Sequence, residues 1–203
     1  MVDELNGLMS LPLDRGRLGT LYRVREEPPD RRFGPRDLSH IPFDLAHIVR
    51  PQRYSTPGTP MLYLGSSLIA CWEEMGRPDP RSLWAAAFRL RPGRTIRVLN
   101  LAYRPALIAS TARPLGSGPA DDPSDMLRQF VGYAVIWPLV LACSYRVLHR
   151  GQSFVPEYVL PQLLTSWLAE QPELSGVRYF SNRMDDAVGP TRVSSRNSVA
   201  VPL

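Results

Sequence analysis

Met61-Leu-Tyr-Leu-Gly-Ser-Ser-Leu-Ile-Ala-Cys-Trp-Glu-Glu-Met75 reads as one strand turned directly into one helix. Met61 to Gly65 is short, apolar and aromatic, which is strand composition. Ser66 and Ser67 offer side-chain oxygens to the unpaired N–H groups of a helix over Leu68 to Met75. Gly76 and Pro78 stop it. Leu68, Trp72 and Met75 recur at i, i+4 and i+7 and are expected to face the core. Outward from this unit, Leu18 to Val24 reads as the first strand. Ser82 to Leu90 and Thr95 to Leu101 read as two successive strands joined by a Pro92-Gly93 turn. Met126 to His149 reads as mostly helix with a break near Pro138. Tyr158 to Glu170 reads as a helix with Leu160, Leu163, Leu164, Trp167 and Leu168 on one apolar face, and Val177 to Ser181 as a late strand. Strands and helices mix without regular alternation. That predicts an α+β fold with mixed or antiparallel sheets and flanking helices, not a doubly wound parallel sheet.

The chain has 203 residues, enough for one domain with a real core. Residues 1–17 read as a lead-in, 18–184 as the domain, and 185–203 as a tail or edge element. Glu26 to Pro60 is rich in proline, arginine and aspartate, and Leu115 to Asp125 reads as a flexible loop. Long irregular connections of the first kind are functional or disordered. Apolar residues make up 44% and charged residues 21%, which excludes wholesale disorder. The longest apolar run, Ala134 to Cys143, is about half of a membrane span and contains Pro138. The opening Met-Val-Asp-Glu has no basic region followed by an apolar stretch, so no secretory signal is expected. Cys71 and Cys143 alone build neither a disulfide scaffold nor a cysteine metal site. A reduced, cytoplasmic setting without membrane is the expectation.

The net charge is +5, and all 24 basic residues are arginine. A GC-rich genome favours arginine codons. Phosphate recognition favours guanidinium too, because it grips phosphate bidentately. The arginines are scattered and form no basic tail. Nucleic acid, an acidic partner and a phosphorylated small substrate all suit this charge.

No zinc, P-loop or dinucleotide-fold spacing is present, and His40, His47 and His149 stand in unrelated contexts. Gly65-Ser66-Ser67 lacks the glycine pattern of a nucleophile elbow. Glu73 and Glu74 point about 100° apart on a helix. One can be solvated while the other lies against a cleft wall. Arg23 points opposite to Tyr22 and Val24 in its strand. It either covers an apolar edge with its stem or presents its head to an anion.

Taken in order, Leu-Tyr-Arg (21–23), Arg-Tyr-Ser-Thr-Pro-Gly-Thr-Pro (53–60), Leu-Tyr-Leu-Gly-Ser-Ser (62–67) and Cys-Trp-Glu-Glu (71–74) resemble the RES-domain family, named for its arginine, glutamate and serine. The C-terminal stretches Phe154 to Leu164 and Gly176 to Ser181 have the family's character too, so the resemblance covers roughly residues 18–184. Family members carry a glutamate eleven residues after the strand tyrosine; Tyr63 plus eleven is Glu74, which selects Glu74 over Glu73. Arg23 matches the first arginine, and Arg53 with Tyr54 matches the loop arginine and its aromatic. Gln52 replaces the usual glycine, and Tyr54 the usual tryptophan. The family serine falls on Ser181 first and Ser153 second, with Tyr158 as a functional substitute.

The resemblance implies an ADP-ribosyltransferase-like fold and an NAD-consuming enzyme, often the toxin of a toxin–antitoxin pair. Arg23, Glu74 and Ser181 would be catalytic, and Arg53, Tyr54 and Tyr63 would bind NAD. No metal is expected. Water, inorganic phosphate or a macromolecular acceptor would attack the ribose, so hydrolysis, phosphorolysis and mono-ADP-ribosyl transfer are open. A non-enzymatic nucleic-acid-binding module is a further reading of the charge. An antitoxin is the implied partner. The helices at 126–149 and 158–170 offer apolar surface for a homo-oligomer or for core packing.

Overall fold

Gly65 has no side chain, and the fold uses that absence. A Cβ there would lie 2.6 Å from the Cys71 Sγ and 3.4 Å from the Ser67 carbonyl oxygen. The computed structural model describes residues 10–30, 32–102, 123–147, 152, 154–180 and 197–202. Strand β1 spans Ser10–Leu13, the one-turn helix α1 Arg15–Leu18, β2 Thr20–Glu26 and β3 Met61–Gly65. Helix α2 (Leu68–Glu74) follows β3 at once. Then come β4 (Leu83–Arg89), β5 (Ile96–Asn100), α3 (Pro123–Ser144), α4 (Val159–Ala169), β6 (Val177–Phe180) and β7 (Asn197–Pro202).

The strands form one sheet in the order β1-β5-β6-β7-β3-β2-β4. Every pairing is antiparallel except β5 with β6. The fold is thus α+β with a mixed sheet in one domain. The ladder is uneven. β2 pairs with β4 from Thr20 to Glu26, and β3 pairs with β7 from Met61 to Gly65. Between β2 and β3 the ladder holds one register pair, Tyr22 opposite Gly65. The next partners in that register would be Arg23 with Leu64 and Val24 with Tyr63. Instead the strands part there, and those four residues line a cleft.

Helix α2 sits on that junction. Ser67 caps it, its side-chain oxygen accepting from the Ala70 N–H at 3.1 Å. The Cys71 thiol donates to the Tyr22 carbonyl at 3.2 Å. The helix therefore seats its small residues on the sheet. Ala70 is buried, Trp72 and Met75 are half-buried, and Leu68, expected in the core, is 46% exposed. Close approach at Gly65 displaces the leucine from the seam.

The main core lies where α3 and α4 cover the sheet, built from Met61, Leu99, Ile136, Val140, Cys143, Leu168 and Val177 with Tyr54. α3 runs through Pro138 without the expected break. Ile136, Val140 and Cys143 recur at i, i+4 and i+7 and are all buried. That continuous stripe outweighs the proline's cost of about 3 kcal/mol. On α4 the buried stripe is Pro161, Thr165 and Leu168, whereas Leu160 and Leu163 are exposed. Thr165 tolerates burial because its hydroxyl donates to the Pro161 carbonyl at 2.9 Å.

Two boundaries also differ from expectation. Asn197–Pro202 pairs with both β3 and β6, so it is an interior strand and not a tail or edge. Ser10–Leu13, within the expected lead-in, pairs with β5 at the sheet margin. The expected loop at 115–125 falls mostly on residues outside the described set. Among the described residues no helix is long and apolar enough to cross a membrane.

Gly65→Ala is expected to destabilise the fold by about 1–3 kcal/mol through overpacking against Cys71. Adding Cys71→Ala removes the clashing sulfur and should recover most of that loss. Chemical denaturation of both single variants and the double variant reads the coupling. Additive losses would contradict the close approach.

Candidate functional site

Where β2 and β3 part, the open ladder becomes one wall of a cleft of about 920 Å³. Its lining includes Arg23 and Val24 from β2, Tyr63 to Gly65 from β3, and Cys71 with Glu73 to Met75 from α2 and its end. Arg53 comes from the loop before β3, Arg146 from beyond α3, Tyr158 from the start of α4, and Tyr179 and Phe180 from β6. The volume falls in the range of small-molecule and cofactor pockets.

Arg23 is the distinctive group. Its Nη1 is buried and has no hydrogen-bond partner. Burial, with the like charge of Arg25, pushes its pKa down to about 10. An arginine that only covers an apolar edge keeps its head in water. Arg23 does not: part of its head is buried beside the cleft that the residue lines. Arg25 itself is engaged elsewhere, donating to the Asp37 carbonyl and stacking on Phe33.

Glu73 and Glu74 both line the cleft, so neither is the purely solvated member expected from their angular separation. The Glu73 side chain is 15% exposed, with Oε1 3.4 Å from the Arg77 Nη2. Its Oε2 is buried without a partner. The Glu74 carboxylate lies close enough to Tyr179 to add to the burial that pushes the phenol well above its ordinary value. Its charge raises the Cys71 thiol in the same way, again after burial. Both neighbours are thereby held neutral around the carboxylate.

The expected NAD-binding set divides. Tyr63 lines the cleft, and its hydroxyl donates to the Ser55 Oγ at 3.2 Å. Burial pushes its pKa to about 12. Arg53 also lines the cleft, but its Nη1 and Nη2 donate to the Cys143 and Tyr145 carbonyls at 2.9 and 2.8 Å. It ties the loop to the end of α3, and its remaining N–H donors face the Tyr158 ring, 5.7 Å from the guanidinium carbon. Tyr54 is a correction. It is 1% exposed, belongs to the core and does not line the cleft. Its ring lies 4.4 Å from that of Tyr179, so it backs the wall and offers no face to a ligand.

Tyr158, the substitute hydroxyl, lines the cleft; Ser181 and Ser153 lie outside the described residues. The structure thus brings Arg23, Arg53, Tyr63, Glu74 and Tyr158 around one space. It adds Glu73, Arg77, Arg146 and Tyr179, which sequence reasoning did not place there. Four guanidinium groups face two carboxylates across this lining. That set suits a ligand bearing both anionic and hydroxyl groups. Among the described residues no cluster of three or more histidine, cysteine, aspartate or glutamate side chains is placed to hold a metal ion.

A 155-residue stretch of the chain is 36% identical to the protein named "Putative toxin YopC" of Bacillus subtilis (strain 168). The match takes in 75% of this chain and 34% of that protein, so the chain spans about a third of the relative's length. No family model matches the chain, and no solved structure matches it.

Arg23→Met is expected to raise stability by roughly 1 kcal/mol while weakening anion binding, because it removes a buried donor that nothing satisfies. With its folded pKa lowered, Arg23 costs stability below about pH 10 and less above it, since the unfolded chain then binds more protons. The gain from the substitution should accordingly shrink as pH rises beyond about 10. Thermal melts across that range read it; a loss of stability at neutral pH would contradict the assignment.

Proposed function

We propose that this cleft binds NAD and cleaves its nicotinamide–ribose bond, as the RES-family resemblance implies. The observation that supports the reading most is the convergence of Arg23, Tyr63 and Glu74. Three separate elements carry them, and the parting of β2 from β3 puts all three on one cleft.

The chemistry follows from the groups present. A pyrophosphate suits the guanidinium groups of Arg23 and Arg53, two residues that line the cleft. Tyr63, Tyr158 and Tyr179 supply aromatic wall for nicotinamide or ribose. Cleavage breaks the bond from the ribose C1′ to the nicotinamide nitrogen, and the electron pair leaves with neutral nicotinamide. Positive charge develops on the ribose as an oxocarbenium-like centre. The Glu74 carboxylate stabilises that charge and holds a ribose hydroxyl. Water attack then gives ADP-ribose and a proton; phosphate attack gives the ADP-ribose phosphate ester. The serine of the family motif, Ser181, would orient the ribose or a phosphate.

The relative's name supports a toxin role for this chain, and a toxin requires a cognate antitoxin that masks the cleft in its own cell. The match covers 34% of the relative, so the proposal concerns the matched region.

Purified protein incubated with NAD should release nicotinamide, followed by liquid chromatography and mass spectrometry. Glu74→Gln should lower the rate by about 100-fold or more while the melting transition persists. Running the reaction with and without phosphate names the nucleophile. Full activity in Glu74→Gln would overturn the site assignment. ADP-ribose fixed on a macromolecule would replace hydrolysis by mono-ADP-ribosyl transfer.

A further inference from the structure

We infer that Gln162 is a positioning residue of the cleft: its side-chain amide pins the turn at 52–55 from behind, and the pinned turn holds the Arg53 guanidinium ready for a phosphate of the substrate. The inference rests on the NAD reading of the cleft and adds a residue outside its lining.

The turn is short and closed on itself. The Gln52 N–H donates to the Ser55 carbonyl at 2.9 Å, and the Ser55 N–H to the Gln52 carbonyl at 3.2 Å. These two bonds make an isolated bridge outside the named strands. A lone strand pair is marginal in water without something packed on it. Here the middle of the turn is anchored on the inside. Tyr54 is buried in the main core, and the buried Ser55 accepts from the Tyr63 hydroxyl at 3.2 Å. The Arg53 guanidinium reaches the Cys143 and Tyr145 carbonyls at the end of α3.

Gln162 closes the turn from the side of α4. Its Nε2 donates to the Gln52 carbonyl at 2.9 Å and to the Ser55 carbonyl at 3.1 Å. An amide NH₂ carries two hydrogens, and each carbonyl of the bridge takes one. Each carbonyl therefore accepts twice, once across the bridge and once from Gln162, which fills both its lone pairs. The two residues so clamped flank Arg53 and Tyr54.

The same helix face meets the turn a second time. Tyr158, the cap residue of α4, has helical backbone angles, so Tyr158 and Gln162 stand at i and i+4. The Tyr158 ring lies 5.7 Å from the Arg53 guanidinium carbon. Gln162 thus holds the backbone of the turn while Tyr158 faces its arginine, and Gln52, Arg53 and Tyr158 all line the cleft. A guanidinium fixed in advance spares the ligand the cost of ordering a long side chain. Removing the amide leaves each carbonyl its partner across the bridge, so the loss should fall on binding more than on folding.

Calorimetric titration of the full chain with ADP-ribose, run as a double-mutant cycle, tests this. Wild-type protein should bind ADP-ribose. Gln162→Met, which keeps the length and removes both donors, should weaken it about tenfold while the melting transition persists. Gln162→Glu, which sets an acceptor against two carbonyls at neutral pH, should weaken it at least as much. In an Arg53→Met background, where Arg23 keeps binding measurable, Gln162→Met should change the affinity by less than about twofold. A glutamine that merely supports the fold would give the same loss in both backgrounds, and that result would overturn the inference. Unchanged ADP-ribose affinity in Gln162→Met would also overturn it while sparing the NAD reading. Wild-type protein that does not bind ADP-ribose would overturn the NAD reading and this inference together.

Discussion

At Gly65 the sheet, the helix α2 and the cleft meet in a contact too close for a side chain. The Cys71 sulfur occupies the space where a Cβ would stand, and its thiol reaches the Tyr22 carbonyl on the neighbouring strand. Tyr22 and Gly65 form the one register pair that joins β2 to β3. Helix α2 therefore clamps two strands at a single point and lets them diverge beyond it. The divergence exposes Arg23 on one bank and Tyr63 on the other, and the far end of the same helix delivers Glu73 and Glu74 between them. A bulkier residue at 65 would move the helix, and both carboxylates with it.

Two polar atoms of residues that line the cleft are buried without a hydrogen-bond partner. Arg23 keeps a buried donor, Glu73 keeps a buried acceptor, and Arg77 holds a left-handed backbone to reach Glu73. Each feature weakens the unliganded fold. Behind them the wall is conventional: Tyr54 packs on Tyr179, and Arg53 crosslinks the loop to the end of α3.

Much of this was legible in the sequence where local chemistry decides structure. The strand Met61–Gly65 and the Ser67-capped helix after it follow from composition and capping, and the α+β class follows from element order. Patterns that depend on partners were not legible. Leu68, Leu160 and Leu163 sit at helical apolar positions but face outward, because the seams are set by Ala70 and Cys71 on α2 and by Thr165 on α4. Asn197–Pro202 read as part of a tail or edge element because its place depends on two distant strands, β3 and β6. Among site residues, Glu74 was picked out by the RES-family resemblance and not by local pattern, whereas the placing of Glu73 and Arg77 on the cleft depends on the turn after α2. Tyr54 went the other way: its motif position suggested a ligand wall, and its burial makes it a support.

The most direct test is a crystal structure of the Glu74→Gln variant grown with NAD. The account predicts a dinucleotide in the opening between β2 and β3, its pyrophosphate beside Arg23 and its nicotinamide ribose at position 74. A dinucleotide bound elsewhere on the protein, with this opening unoccupied, would contradict it.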